Sequence, residues 1–278
     1  MKKFFSQTDL YEEVTHGKAT FNLPINYYRD DCFALYFTAD TQKLIDLLPS
    51  RNLHPLTLPT GRSLYAIAVF NYIDTSIGPY GEVGAIVPVI DGEKPKTFTV
   101  TKAMLMESSF PGFGVFVQHL PVTKIEARDA GRGQWGYPKF IASMQFRITP
   151  EKFSCKLSEG EQSILKIKMM RKGIYHRENR SLISYSVKNN SLIKTVVPMK
   201  SRKRVALYPS GSALKLGDHP VSESIRELGL SKRPIMTVYY TERFAILPKG
   251  EVIEYNTDDY QGYIGKNKKA EHTVDYLG

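Results

Sequence analysis

From Ser143 to Val197 the chain keeps returning to one pattern: a short run in which apolar and polar side chains alternate, closed by a turn signal. The runs are Ser143–Thr149, Lys152–Leu157, Ser163–Met169, Leu182–Val187 and Leu192–Val197, and Glu159-Gly160 and Asn189-Asn190 are among the turns between them. Strands recurring at about ten-residue spacing suit antiparallel meanders in a barrel or a sandwich. Earlier and later segments agree with this. Tyr27–Phe37 is rich in aromatics, Ser63–Ile73 fills in as a strand packed on both faces, and Ala85–Ile90, Thr97–Val100, Phe113–Leu120, Ile235–Tyr240 and Arg243–Leu247 are further strand candidates. Helices are few and short. A few turns are expected at Asp9–Val14, and Asp40 is placed to cap a helix over Thr41–Leu48 that Pro49 stops. Thr123-Lys124-Ile125-Glu126 has the capping-box pattern for a helix running to about Ala130, and Ser222–Leu228 precedes Gly229 as its C-terminal stop. The fold class expected is mostly antiparallel β with a few short helices.

A chain of 278 residues can bury a large core without a disulfide or a metal. No internal repeat or linker divides it, so one domain over 1–278 is expected, with 256–278 a polar extension that is mobile or packs on a neighbour. Cys32 and Cys155 each lie in a strand-like segment and read as small buried hydrophobes of a reducing compartment, with a bridge between them left open. Ser6-Gln7-Thr8-Asp9 interrupts the apolar start that a signal peptide would need, and no run is long enough to cross a bilayer. The cytoplasm and no membrane partner are therefore expected.

The formal net charge of +10 raises the question of an anionic partner. The densest basic clusters, Lys200–Arg204 and Lys266–Lys269, are short and carry no interleaved aromatics, so they read as solvated loops and no nucleic-acid partner is expected. A basic surface also concentrates a small anionic substrate. The histidines, His16, His54, His119, His176, His219 and His272, include no pair at ligand spacing, and there is no nucleophile elbow, P-loop or dinucleotide fingerprint. Neither a metal nor a cofactor is expected.

What chemistry remains is concentrated in Gly131-Arg132-Gly133-Gln134-Trp135-Gly136-Tyr137-Pro138-Lys139-Phe140. Lys139 follows a proline of fixed φ, and Trp135, Tyr137 and Phe140 offer apolar surface around it. Stripping water from a lysine favours its neutral form, which is a nucleophile towards carbonyl carbon. The competing reading is a solvated lysine after a turn proline.

Gly131-Arg132 followed by Gly136-Tyr137-Pro138-Lys139 resembles the Schiff-base segment of the acetoacetate decarboxylase family, in which the imine-forming lysine follows Tyr-Pro. The resemblance runs from about Tyr28 to Tyr255. Arg29 matches a pocket arginine, and Asp74-Thr75-Ser76 with Glu82 matches a loop that supplies an active-site glutamate. The segments Gly211–Pro220 and Leu247–Val252 are similar to the family's C-terminal segments. The resemblance implies a barrel-like β core, a homo-oligomer, and a cofactor-free lyase acting on a keto acid. In it Lys139 forms the imine, Glu82 moves protons and Arg29 orients the substrate carboxylate or holds Glu82; Trp135, Tyr137 and Phe140, whose apolar surface lies beside Lys139, are expected to contact substrate. Phe140 stands where the decarboxylases carry a second lysine, Gly133 where many members carry a glutamate, and Ile67 where an acidic residue falls. These departures leave decarboxylation, aldolase-dehydratase chemistry on the same imine, and a binding protein without turnover as readings to separate. Without the second lysine, desolvation is the remaining way to activate Lys139.

Overall fold

The computed structural model describes residues 2–6, 11–94 and 112–266. The strands, in chain order, are β1 (Glu12–His16), β2 (Ala19–Leu23), β3 (Ile25–Ala39), β4 (Leu53–Pro55), β5 (Ser63–Thr75), β6 (Tyr80–Asp91), β7 (Phe113–His119), β8 (Ser143–Ile148), β9 (Lys152–Glu159), β10 (Gln162–Met170), β11 (Ile174–Lys188), β12 (Ser191–Leu207), β13 (Ala213–Leu216), β14 (Met236–Leu247) and β15 (Glu251–Tyr255). Seven of them close a ring in the order β11-β7-β6-β5-β3-β14-β12, with β12 pairing back onto β11. All neighbours in the ring are antiparallel except β11 and β7. Closure leaves the ring without an unpaired edge. A four-stranded sheet, β13-β10-β9-β8, packs on the outside.

The two faces of the ring strands separate by parity, as a pleated strand requires. Ile67 and Val69 of β5, Val83, Ala85 and Val87 of β6, Phe116 of β7 and Tyr185 of β11 face outward into a core shared with Phe153, Cys155, Leu165 and Ile167 of the outer sheet. Their neighbours at even positions on β5 and β6, Ala68, Phe70, Tyr72, Glu82, Gly84 and Ile86, face into the ring.

The expected fold class is the one observed, with differences in the elements. β11 and β12, expected as six-residue runs, extend over 15 and 17 residues. Lys200–Arg204 therefore lies within β12 and not in a loop. There Lys203 pairs with Glu178 at 2.8 Å and Arg202 with Glu242 at 3.0 Å. The two late strand candidates form the single strand β14. Glu12–His16 is a strand where a helix was expected, and Thr97–Val100 lies outside the described residues. The helix Thr41–Leu47 is capped as predicted, with the Asp40 carboxylate accepting from the Lys43 N–H at 3.1 Å. Cys32 and Cys155 are free and buried. Among the described residues no helix is long and apolar enough to cross a membrane.

The polar extension is corrected in its described part. Residues 257–266 dock on their own chain: Tyr260 Oη donates to Gln118 O at 2.9 Å and Tyr263 Oη to Glu159 Oε2 at 2.6 Å.

Candidate active site

Two sequence-local features deliver Lys139. The helix Ile125–Trp135 runs through Gly131 and Gly133 and ends at Gly136, whose left-handed conformation (φ 67°) turns the chain back. The capping box is not used: Thr123 Oγ1 instead accepts from the Gly81 N–H at 2.9 Å, tying the loop before the helix to β6. With Thr123 so engaged, the helix starts at Lys124 without a side-chain cap. After Gly136 the Lys139 N–H donates to Tyr137 O at 2.7 Å, a tight turn centred on Pro138. The segment then lies along residues 120–122, which donate to Pro138 O at 3.1 Å and to Phe140 O at 2.9 Å. In this extended run Tyr137 and Lys139 face the ring interior while Phe140 faces the outer core. Gly131 makes room for the lysine, since a Cβ there would sit 2.5 Å from Lys139 Cδ and Cε.

The interior of the ring holds a cavity of about 110 Å³ to which all seven strands contribute. Its walls are chiefly aromatic and aliphatic, among them Phe70, Val117, Leu120, Leu182, Val197 and Leu247. Into it reach Glu82, Lys139, Arg243, Ser184 and the tyrosines Tyr27, Tyr72 and Tyr137. Lys139 is only 5% exposed, and its Nζ donates to Glu82 Oε2 at 2.7 Å. The other Glu82 oxygen accepts from Tyr72 Oη at 3.2 Å, so both are engaged. The rings of Tyr80 and Tyr137 lie 5.7 and 5.9 Å from Nζ. Burial pushes the Tyr137 phenol up to about 12, and its hydroxyl is held by Ser184 Oγ at 2.7 Å. Tyr27 and Tyr72 are likewise pushed up, by burial and then by the charge of Glu82, so these phenols remain protonated donors. Opposite them Arg243 enters from β14. One Nη is bound to Asp30 Oδ2, and the guanidinium lies 5.1 Å over the Phe70 ring.

The family model for acetoacetate decarboxylase matches residues 14–255. The chain belongs to the acetoacetate decarboxylase family. Solved structures of the family share its fold. An acetoacetate decarboxylase is 18% identical with a TM-score of 0.60, covering 83% of this chain and 89% of its own. The acetoacetate decarboxylase of Legionella pneumophila is 18% identical with a TM-score of 0.61, covering 91% and 94%. The enduracididine biosynthesis enzyme MppR, complexed with the condensation product of pyruvate and imidazole 4-carboxaldehyde, is 11% identical with a TM-score of 0.59, covering 83% and 89%. At these identities the likeness is one of fold. No curated protein matches the sequence.

For this member of the family, the expected site residues fall into two groups. Lys139, Glu82 and Tyr137 meet in the cavity, although Lys139 and Glu82 are 57 residues apart. Glu82 sits on strand β6 and not in a loop. The connection is only the turn after Thr75, and Gly81 serves sheet packing, since a Cβ there would meet Met144 Sδ at 2.9 Å. Arg29, Trp135 and Phe140 do not line the cavity. Arg29 lies at a bulge in β3, where the register against β5 shifts on both sides of it, and is exposed. A bulge re-aims side chains, and here it turns Asp30 inward in place of Arg29. Trp135 is one layer back: it stacks on Tyr137 at 5.9 Å and donates Nε1–H to Pro248 O at 2.9 Å. Phe140 is fully buried on the far side, 6.3 Å from the His219 ring and edge-on to Tyr263 at 4.8 Å.

The departures from the family pattern are displaced from the cavity too. Ile67 has outward parity, and Gly133 abuts the β1–β2 hairpin, where a Cβ would come 2.2 Å from the His16 ring. Sequence reasoning missed Arg243, Asp30, Tyr27 and Tyr72. A signal for Arg243 was present: it shares strand parity with Ala245 and Leu247, so a charge stands on an otherwise apolar face.

Proposed function

We propose that the protein is a Schiff-base-forming lyase that decarboxylates a small β-keto acid through an imine on Lys139. The observation that carries the reading is the 2.7 Å contact between Lys139 Nζ and Glu82 Oε2 inside an apolar cavity. An amine attacks a carbonyl only after losing its proton, and Glu82 is within reach to take it. Neutral Nζ adds to the ketone carbon, and loss of water leaves a protonated imine. The bond to the carboxylate then breaks. Carbon dioxide leaves, and the electron pair passes into the imine to give an enamine. Glu82 returns a proton to the enamine carbon, and water releases the ketone and the free amine. Arg243 takes the part expected of Arg29: one nitrogen is committed to buried Asp30, and the remaining donors border the cavity, suited to orient a carboxylate. Burial pushes the Asp30 carboxyl above its ordinary value, against the pull of the Arg243 guanidinium bound to it.

Aldolase-dehydratase chemistry on the same imine is the second reading, supported by the condensation product bound to MppR. One experiment separates the readings. Incubation with acetoacetate and reduction with borohydride is expected to give a mass adduct on the Lys139 peptide, with CO2 released when the reductant is omitted. An adduct without CO2 favours the condensation reading, and no adduct with any keto acid favours a binding protein.

The proposal includes a homo-oligomer. Ile174 and Tyr175 at the start of β11, and Leu207 and Tyr208 at the end of β12, leave apolar side chains exposed at one end of that strand pair. Light scattering at micromolar concentration is expected to give a multiple of the chain's mass, and a monomer would contradict it.

A further inference from the structure

The family model stops at residue 255, yet the chain beyond it lies against the Lys139 segment. Arg132 is the link. Its Nε–H donates to the Lys139 carbonyl and its Nη2 donates to Ile264 O at 2.8 Å. One planar guanidinium thus bridges the backbone of the lysine and the backbone of the C-terminal strap. Both neighbours of Lys139 are also held from the strap. Gly262, at φ 60°, comes so close to Pro138 that a Cβ would lie 2.8 Å from Pro138 Cβ. The Tyr263 ring meets Phe140 edge-on at 4.8 Å. The strap is anchored beyond these contacts by Glu159, which accepts from Tyr263 Oη at 2.6 Å and from the Lys266 N–H at 2.9 Å. On the opposite side the 138–140 backbone is fixed by Leu120 and Val122.

We propose that residues 257–266 are a positioning element for Lys139, acting through Arg132. The inference rests on the reading of Lys139 as the nucleophile. Neither Arg132 nor the strap residues reach the amine, so their effect is on where Nζ stands relative to Glu82 and a bound carbonyl. A reacting group displaced by about 1 Å loses on the order of a hundredfold in rate.

The test uses the full chain and follows borohydride-trapped adduct on Lys139 against acetoacetate concentration, beside thermal unfolding. Arg132→Met is expected to lower the limiting rate of adduct formation by about tenfold, within that range, while the half-saturating concentration stays within about twofold. Arg132→Lys keeps the charge but not the fork, and is expected to recover part of the rate. Tyr263→Phe removes one strap anchor with little threat to the fold. It is expected to lower the rate in the same sense by a smaller factor, and it carries the test if Arg132→Met unfolds. Unchanged limiting rates in the variants, or a loss confined to half-saturation, overturn the positioning role while leaving the nucleophile in place. Absence of adduct in the unaltered protein overturns the nucleophile reading, and this inference with it.

Discussion

Lys139 and Phe140 are adjacent in sequence and belong to different cores. Lys139 shares the ring interior with Glu82, while Phe140 packs against His219 and Tyr263 outside it. A second lysine at position 140 would therefore not face the Lys139 amine. Phe140→Lys is expected to cost more than about 3 kcal/mol, the usual loss for removing a buried phenylalanine, before any cost of burying the new charge. The pH profile of adduct formation on Lys139 should keep its shape. Thermal unfolding reads the first effect and borohydride trapping from pH 5 to 9 the second; a shifted profile would mean that charge at position 140 is felt in the cavity. Arg29 and Arg243 teach the same lesson. The family resemblance pointed to an arginine on β3, but a bulge there turns Asp30 inward and the cavity arginine comes from β14. Bulges depend on pairing across the sheet, which no local pattern records.

At the scale of elements, the helix Ile125–Trp135 contains a separable test. Gly131 is helical, so alanine there should gain up to about 1 kcal/mol of helix propensity. Its Cβ would also push Lys139 Cδ and Cε aside from 2.5 Å, and with them the amine from Glu82. Gly131→Ala is thus expected to leave the unfolding temperature near that of the unaltered protein and to reduce adduct formation on the order of a hundredfold. Equal labelling would show that the lysine arm adapts. The same helix marks what was legible in the sequence. The helix expected to run to about Ala130 continues through Gly131 and Gly133, whose role is close approach: to Lys139 in one case and to His16 in the other. Alternation along β9 and β10 was readable because each strand has one side buried against the ring. Glu82 was readable as a site residue but not as a strand residue, since Gly81 and Gly84 look like loop, whereas Gly81 packs under the outer sheet and Gly84 lines the cavity. Which face of each strand turns into the ring follows only from closure.

For the whole molecule, the outer layer carries a pH dependence that is separate from the active site. His119, at the end of β7, is buried with Ser224 Oγ 2.9 Å from its Nε2 and, among the described residues, no partner for Nδ1. Burial, and then the nearby His219, push its pKa down to about 4 from an ordinary 6.5. The unfolded chain therefore takes up a proton on this residue between pH 6.5 and about 4 that the folded chain refuses. Its contribution to stability is complete above pH 6.5 and is lost as the pH falls towards 4. At 1.36 kcal/mol per pH unit, the loss is on the order of 3 kcal/mol. Glu159 acts lower on the scale. Burial raises its carboxyl, but hydrogen bonds from His219, Tyr263 and the Lys266 N–H outweigh this and hold it below its usual value of 4.5, so its contribution fades only under that value. Denaturant midpoints measured from pH 7 to 4 should therefore fall through the His119 window first. His119→Gln, which can still bond Ser224 and takes up no proton, should flatten the decline between pH 6.5 and 5, and an unchanged slope would assign it to other groups.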